Sequence, residues 1–211
     1  MSRRTNPFVK REAAITQLPE EAVLHDSLLG ARLMESGPAS PDALPISPED
    51  VTSKAWPKVQ ISAIPESRIT VMGLHGGAGA STLAALMGEG VGDHGQAWPE
   101  PPEGQPLGVV AVFRSHWRGL EAADRFAEQW AAGMLTGSTL LGLVIVDDGP
   151  TLSDGQRRAM KRLLKMTPRG TRIPWVEAWR HASPDSGRIP GRIPGRITRI
   201  TRALHQAAAD L

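Results

Sequence analysis

Ile69-Thr70-Val71-Met72-Gly73, followed almost at once by His75-Gly76-Gly77-Ala78-Gly79-Ala80-Ser81-Thr82, decides how this chain folds. The first stretch is rich in β-branched residues and predicts a strand. The second is a glycine turn. The residues after it, Ser81 to Met87, suit a helix. Strand, glycine turn and helix in that order form the setting of a phosphate loop. Glycines let backbone N–H groups converge on an anion without a Cβ in the way, and the helix N-terminus adds partial positive charge. Gly76, Gly77, Gly79, Ser81 and Thr82 are therefore the candidate phosphate-binding residues. The usual pattern places a lysine just before the Ser/Thr, and here that slot holds Ala80. Losing one charge-assisted hydrogen bond costs roughly 1.5–3 kcal/mol of binding. It harms phosphoryl transfer more, because the lysine also stabilises developing charge.

Downstream, Leu107-Gly108-Val109-Val110-Ala111-Val112-Phe113 is a continuous apolar run, which predicts a strand buried on both faces. Leu120, Ala123, Ala127, Trp130 and Met134 then recur at helical spacing, with charged residues between them. Trp117 and Trp130 are expected on the core face of that helix. Leu140 to Val146 is a second buried strand. Ser153 and Gln156 form a capping box that opens a helix through Lys165. A weaker strand is expected in residues 172–179, with Pro174 pushing it towards an edge. Between the first helix and Leu107, residues 88–107 are rich in Gly, Pro and Glu and read as a long loop. Alternating strands and helices predict an α/β fold: a three-layer, P-loop NTPase-like domain with a mostly parallel sheet of four or five strands.

That domain is expected over residues 67–182. Residues 1–66 read as a disordered tail: a helix over residues 19–35, then a flexible linker marked by Pro38, Pro41, Pro45 and Pro48. Residues 183–211 read as a second tail, basic and rich in Arg, Gly and Pro, ending in a short helix. It holds the repeat Gly187-Arg188-Ile189-Pro190 and Gly191-Arg192-Ile193-Pro194, then Arg196, Arg199 and Arg202.

The chain has 211 residues, 40% of them hydrophobic, with 22 Gly and 18 Pro, so part of it is expected to be unpacked. No cysteine is present, which excludes a disulfide framework and thiolate metal sites. No apolar stretch is long enough for a transmembrane segment, and no apolar run follows the basic N-terminus. A cytoplasmic protein is the expectation. A net charge of +2 does not by itself argue for nucleic acid. The six histidines show no metal-ligand spacing, and Ser115-His116 lacks a nucleophile elbow.

The run from His75 to Ala84 resembles the deviant Walker A motif of the MinD/ParA ATPases, in which lysines would stand at His75 and Ala80. It is closer to the TadZ/CpaE branch of pilus-assembly localisation proteins, where the P-loop lysine is often replaced. Val109 to Phe113 with the Gly119-Leu120-Glu121 helix, Leu141 to Val146, and Ile173-Pro174-Trp175 resemble later segments of that family. Closer still is the resemblance to an actinobacterial P-loop-like family with no established activity. Its members share Gly76 to Gly79, Ala97-Trp98-Pro99, Leu141 to Val144 and Pro174 to Trp179. The resemblance implies a degenerate Walker A motif with ATP and Mg²⁺ as the cofactors to test. It implies a protein partner, a homodimer as one form, and a role in secretion, conjugation or DNA segregation.

Val144-Ile145-Val146-Asp147-Asp148 reads first as a strand leaving the core through the Asp148-Gly149-Pro150 turn. Its other reading is Walker B-like, with Asp147 or Asp148 joining Ser81 at magnesium. The leading expectation is a non-catalytic scaffold. The other readings are a weak ATP-binding protein or NTPase, and a nucleic-acid or anionic-membrane adaptor acting through residues 187–202.

Overall fold

Strand propensity and burial together build one six-stranded mixed sheet and a separate two-stranded one. In the computed structural model, residues 34–35, 37–41, 46–181 and 193–211 are described. The chain divides into two units, Met1–Arg32 and Leu33–Leu211, and every described residue belongs to the second. The strands are β1 (Met34–Glu35), β2 (Lys58–Gln60), β3 (Ile69–Gly73), β4 (Gly92–Asp93), β5 (Trp98–Glu100), β6 (Gly108–Arg114), β7 (Thr139–Val146) and β8 (Gly170–Ile173). The helices are α1 (Ala80–Met87), α2 (Trp117–Ala131), α3 (Asp154–Met166) and α4 (Ile193–Ala209), with short 3-10 turns at Pro48–Asp50 and Glu177–Arg180.

The large sheet has the order β1-β8-β7-β6-β3-β4, and β2 and β5 form a separate parallel pair. Strands β4, β3, β6, β7 and β8 are parallel, while β1 closes the β8 edge antiparallel, Met34 facing Thr171. Counted along the chain, the five parallel strands lie in the order 2-1-3-4-5, a doubly wound arrangement. The chain turns back between β3 and β6, and there the carboxyl ends of neighbouring strands open a crevice.

Alternation along the strands sorts the core into two layers. Val109, Ala111 and Phe113 of β6 face Phe126 and Trp130 of α2 and Leu163 of α3. Val110 and Val112 face Leu83 of α1 and Leu204 of α4. Phe113, Leu143 and Ile145 are wholly enclosed, each contributing about 1.5–3 kcal/mol by leaving water. A bulge between Val109 and Val110 sets two residues of β7 against one step of β6. The capping box of Ser153 and Gln156 opens α3 with both of its hydrogen bonds in place.

Several segments differ from the expectation. Residues 88–107 hold two short strands instead of a plain loop, and Trp98 in β5 is fully buried. Its indole N–H donates to the Thr136 carbonyl at 2.8 Å. The stretch before residue 67, expected as a tail, contributes to the fold: β1 pairs with β8, Gly37 N–H donates to the Thr167 carbonyl, and Ile46 packs against the core. Trp56 is buried edge-on against Phe126 with ring centroids 5.4 Å apart. Gln129 of α2 accepts from the Trp56 backbone N–H at 2.6 Å and donates to the Lys54 carbonyl at 2.8 Å.

Met34 and Glu35 are strand, not helix; the rest of the expected helix over residues 19–35 and the tail before it lie outside the described residues. At the other end, α4 is a 17-residue helix with Ile200, Leu204, Ala207 and Ala208 buried on the sheet. The repeat up to Arg192 lies outside the described residues. The weak strand stops at Ile173, because Pro174 has no N–H to continue the ladder. Trp130 is core, but Trp117 is 67% exposed: it opens α2 beyond the end of β6, where the helix overhangs the sheet.

Candidate functional site

The glycine turn joins β3 to α1 at the point where the strand order reverses. Gly77 and Gly79 take φ of +74° and +101°, which only glycine adopts without strain. Ala78 between them is buried and anchors the turn to the core. Nothing lies within 4 Å of where a Cβ would sit on Gly76, Gly77 or Gly79, so the outer side of the turn is open. Gly79 precedes α1, whose first-turn N–H groups have no partner inside the helix.

A second layer of contacts holds this turn in place. The carbonyl of Gly76 lies 2.9 Å from His75 Nδ1, and since a carbonyl only accepts, Nδ1 carries the proton. His75 Nε2 then accepts from the Arg114 backbone N–H at 3.0 Å. The imidazole is thus fixed as one neutral tautomer. Burial holds it below the usual histidine range, and His116 and Arg114 beside it push the same way, against the Gly76 carbonyl and Asp148. The His75 and His116 rings are 4.7 Å apart. His116 in turn caps α2, its Nδ1 accepting from Gly119 N–H at 3.0 Å. Arg114 closes the ring of contacts: its Nε donates to the Gly77 carbonyl at 2.9 Å.

The residues singled out for metal binding have separate partners. Ser81 donates through Oγ to Asp93 Oδ2 at 2.6 Å, and Gly95 N–H donates to the other oxygen of Asp93. Asp93 was invisible in the sequence, because its strand is two residues long and carries no apolar run. Asp147 is 3% exposed and takes a fork from Arg172, Nε to Oδ1 at 2.8 Å and a terminal nitrogen to Oδ2 at 2.6 Å. Asp148 faces Arg114 across 3.6 Å. Buried Ser115 binds β6 to this corner, accepting from Asp148 N–H and taking Gln156 Nε2 on its carbonyl. Among the described residues, no group of three or more His, Asp or Glu side chains is placed to hold a metal ion. Ala80 thus offers no charge in the lysine slot and both oxygens of Asp147 are engaged by Arg172, while the outer side of the turn is open.

A cleft runs along the carboxyl ends of the strands. Its apolar arm is walled by Leu83, Leu86 and Ile173, with Gly79 and Thr82 at the rim. Its polar arm, about 350 Å³, lies beside Asp148 and Trp175. Arg114 and Trp179 line both arms.

The fold and site define a doubly wound α/β protein with an open glycine turn at its switch point. The chain belongs to DUF6668, a family of unknown function, whose model matches residues 67–199. No curated protein and no solved structure is significantly similar to it. Among the described residues, no helix is long and apolar enough to cross a membrane.

Proposed function

We propose that this protein is a non-catalytic scaffold or positioning protein. In this reading it is a degenerate P-loop-like relative of the MinD and TadZ proteins and acts through protein partners in a secretion, conjugation or DNA-segregation system. One observation carries the reading. The charged groups that phosphoryl transfer needs are missing from the turn or engaged elsewhere: Ala80 stands in the lysine slot, and Arg172 grips both oxygens of Asp147. Stabilisation of developing charge is most of what a phosphoryl-transfer site does. The turn itself is well built, so a partner or an anion can still be held there.

The test is phosphate release from Mg-ATP by the purified full chain. No release above the protein-free control is expected. Turnover that Gly79→Arg abolishes would overturn the reading, and the weak NTPase would replace it. Exposure of Arg199 and Arg202 on the outer side of α4 favours one further reading, a nucleic-acid adaptor. It requires DNA binding that weakens with salt and is lost in a folded protein carrying Arg199→Gln and Arg202→Gln.

A further inference from the structure

One residue of β6 ties down the glycine turn. The ladder between β3 and β6 runs out where Leu74 N–H donates to the Val112 carbonyl. Beyond it, among the described residues, the turn's hydrogen bonds to β6 both go to Arg114. Its backbone N–H donates to His75 Nε2 at 3.0 Å, and its Nε donates to the Gly77 carbonyl at 2.9 Å. The first bond needs a bare ring nitrogen: a neutral imidazole accepts at one nitrogen, whereas an imidazolium only donates. The Nδ1 proton of His75 is already given to the Gly76 carbonyl. A second proton must therefore enter at Nε2, against the Arg114 N–H.

Charged and titratable groups face this ring from three sides. Arg114 brings a guanidinium from β6, His116 a second imidazole from the start of α2, and Asp148 a carboxylate from beyond β7. The two rings lie 4.7 Å apart, and His116 is held there by accepting from Gly119 N–H. Asp148 favours a charged His75, but it also faces Arg114 across 3.6 Å, so its field is shared. Behind the ring there is no slack, since a Cβ on Gly119 would lie 3.1 Å from Nε2. In front there is room: nothing lies within 4 Å of a Cβ on Gly76, Gly77 or Gly79. His75 is half-buried, so solvent protons reach it.

From this geometry we infer that His75 is an acid-sensitive catch for the glycine turn: neutral, it fastens the turn to the end of β6, and protonated, it lets the turn swing outward. The proton converts the acceptor of the Arg114 N–H into a donor, and two donors facing each other cannot stay at hydrogen-bond distance. The imidazolium also repels the Arg114 guanidinium, which loosens the bond to the Gly77 carbonyl. The parallel ladder below does not involve the ring and stays intact. Burial already holds His75 below the usual histidine range, so the catch is closed at neutral pH and opens on the acid side. The inference goes beyond the scaffold reading, and the two stand or fall separately.

Amide hydrogen exchange of the full chain is followed in ¹H–¹⁵N spectra at stepped pH from about 7.5 to about 4.5, each rate divided by its intrinsic value at that pH. The histidine ring nitrogens are followed in the same samples. The Arg114 amide is expected to lose protection about tenfold or more, in step with proton uptake by the His75 ring. Amides in the middle of β7 should keep theirs. His75→Gln retains a donor and an acceptor but does not titrate, so Arg114 should then stay protected throughout. His116→Asn still caps α2 and should leave the Arg114 response in place, which separates the catch from fraying of that helix. Three results overturn the inference: a His75 ring that takes its proton while Arg114 stays protected, a ring that stays neutral throughout, or a folded His75→Gln protein with the wild-type response. If His75→Gln does not fold, the ring and amide titrations of the wild type decide alone. None of these results bears on ATP turnover, which tests the scaffold reading by itself.

Discussion

Replacing Gly119 with alanine tests whether the turn is held from behind. Gly119 is the third residue of α2, and a helix interior would ordinarily gain about 1 kcal/mol from the change. Here the added Cβ would overlap the carbonyl oxygen of Arg114, lie 3.0 Å from that carbonyl's carbon and come 3.1 Å from His75 Nε2. A backbone carbonyl in a central strand cannot rotate away as a side-chain tip can. Overpacking of this kind costs about 1–3 kcal/mol, occasionally more, and the upper part of that range applies. Less the propensity gain, the protein should lose about 2 kcal/mol, a fall in Tm of about 4–8 °C for a chain this long. Melts followed by tryptophan emission, with urea titrations beside them, give the value. Gly76→Ala is the control. That glycine has no positive φ and nothing within 4 Å of the new Cβ, so it should be neutral or slightly stabilised. If Gly119→Ala were as stable as wild type, the packing of α2 against the end of β6 would not be what positions His75 and the turn.

Three further outcomes follow from the geometry. Arg172→Met leaves Asp147 buried without its partner, which costs about 3–5 kcal/mol for a fully enclosed pair and less here, since Arg172 is 40% exposed. Urea denaturation should show a loss of about 2 kcal/mol, partly restored by adding Asp147→Asn. His75 is held neutral in the fold, below its ordinary value of 6.5, so the unfolded chain binds the extra proton first. Its contribution to stability is complete above pH 6.5 and is lost as pH falls from there through its lowered value in the fold. His75→Gln should flatten the stability–pH curve below neutrality, measured by denaturant midpoints at stepped pH. Trp56→Ala removes a residue 4% exposed from the layer under α2 and should cost about 3–5 kcal/mol by chemical denaturation. A neutral result would mean that residues before 67 only lean on the domain.

The parts of the fold legible in the sequence are those whose signal is local and repeated. The apolar runs at β6 and β7, the β3 strand entering its glycine turn, and the Ser153–Gln156 capping box all stand where the chain announced them. What stayed hidden depends on pairing across long separations. All three residues of β2 are exposed, and it becomes a strand only by pairing with β5. Asp93 meets Ser81 because a two-residue strand happens to lie beside β3. In α4 the buried set of Ile200, Leu204, Ala207 and Ala208 is helical in spacing, but Arg196, Arg199 and Arg202 around its start made it look like a solvated tail. Arg114 carries no local signal at all: it is one charged residue at the end of an apolar run, and only the doubled-back strand order brings it to the turn.

Both flanks of the main sheet finish in two-residue strands, β1 on one side and β4 on the other. Among the described residues, a chain adding to either flank would meet a rung of only two residues. A long open rung invites fibre-like stacking, and this protein withholds one.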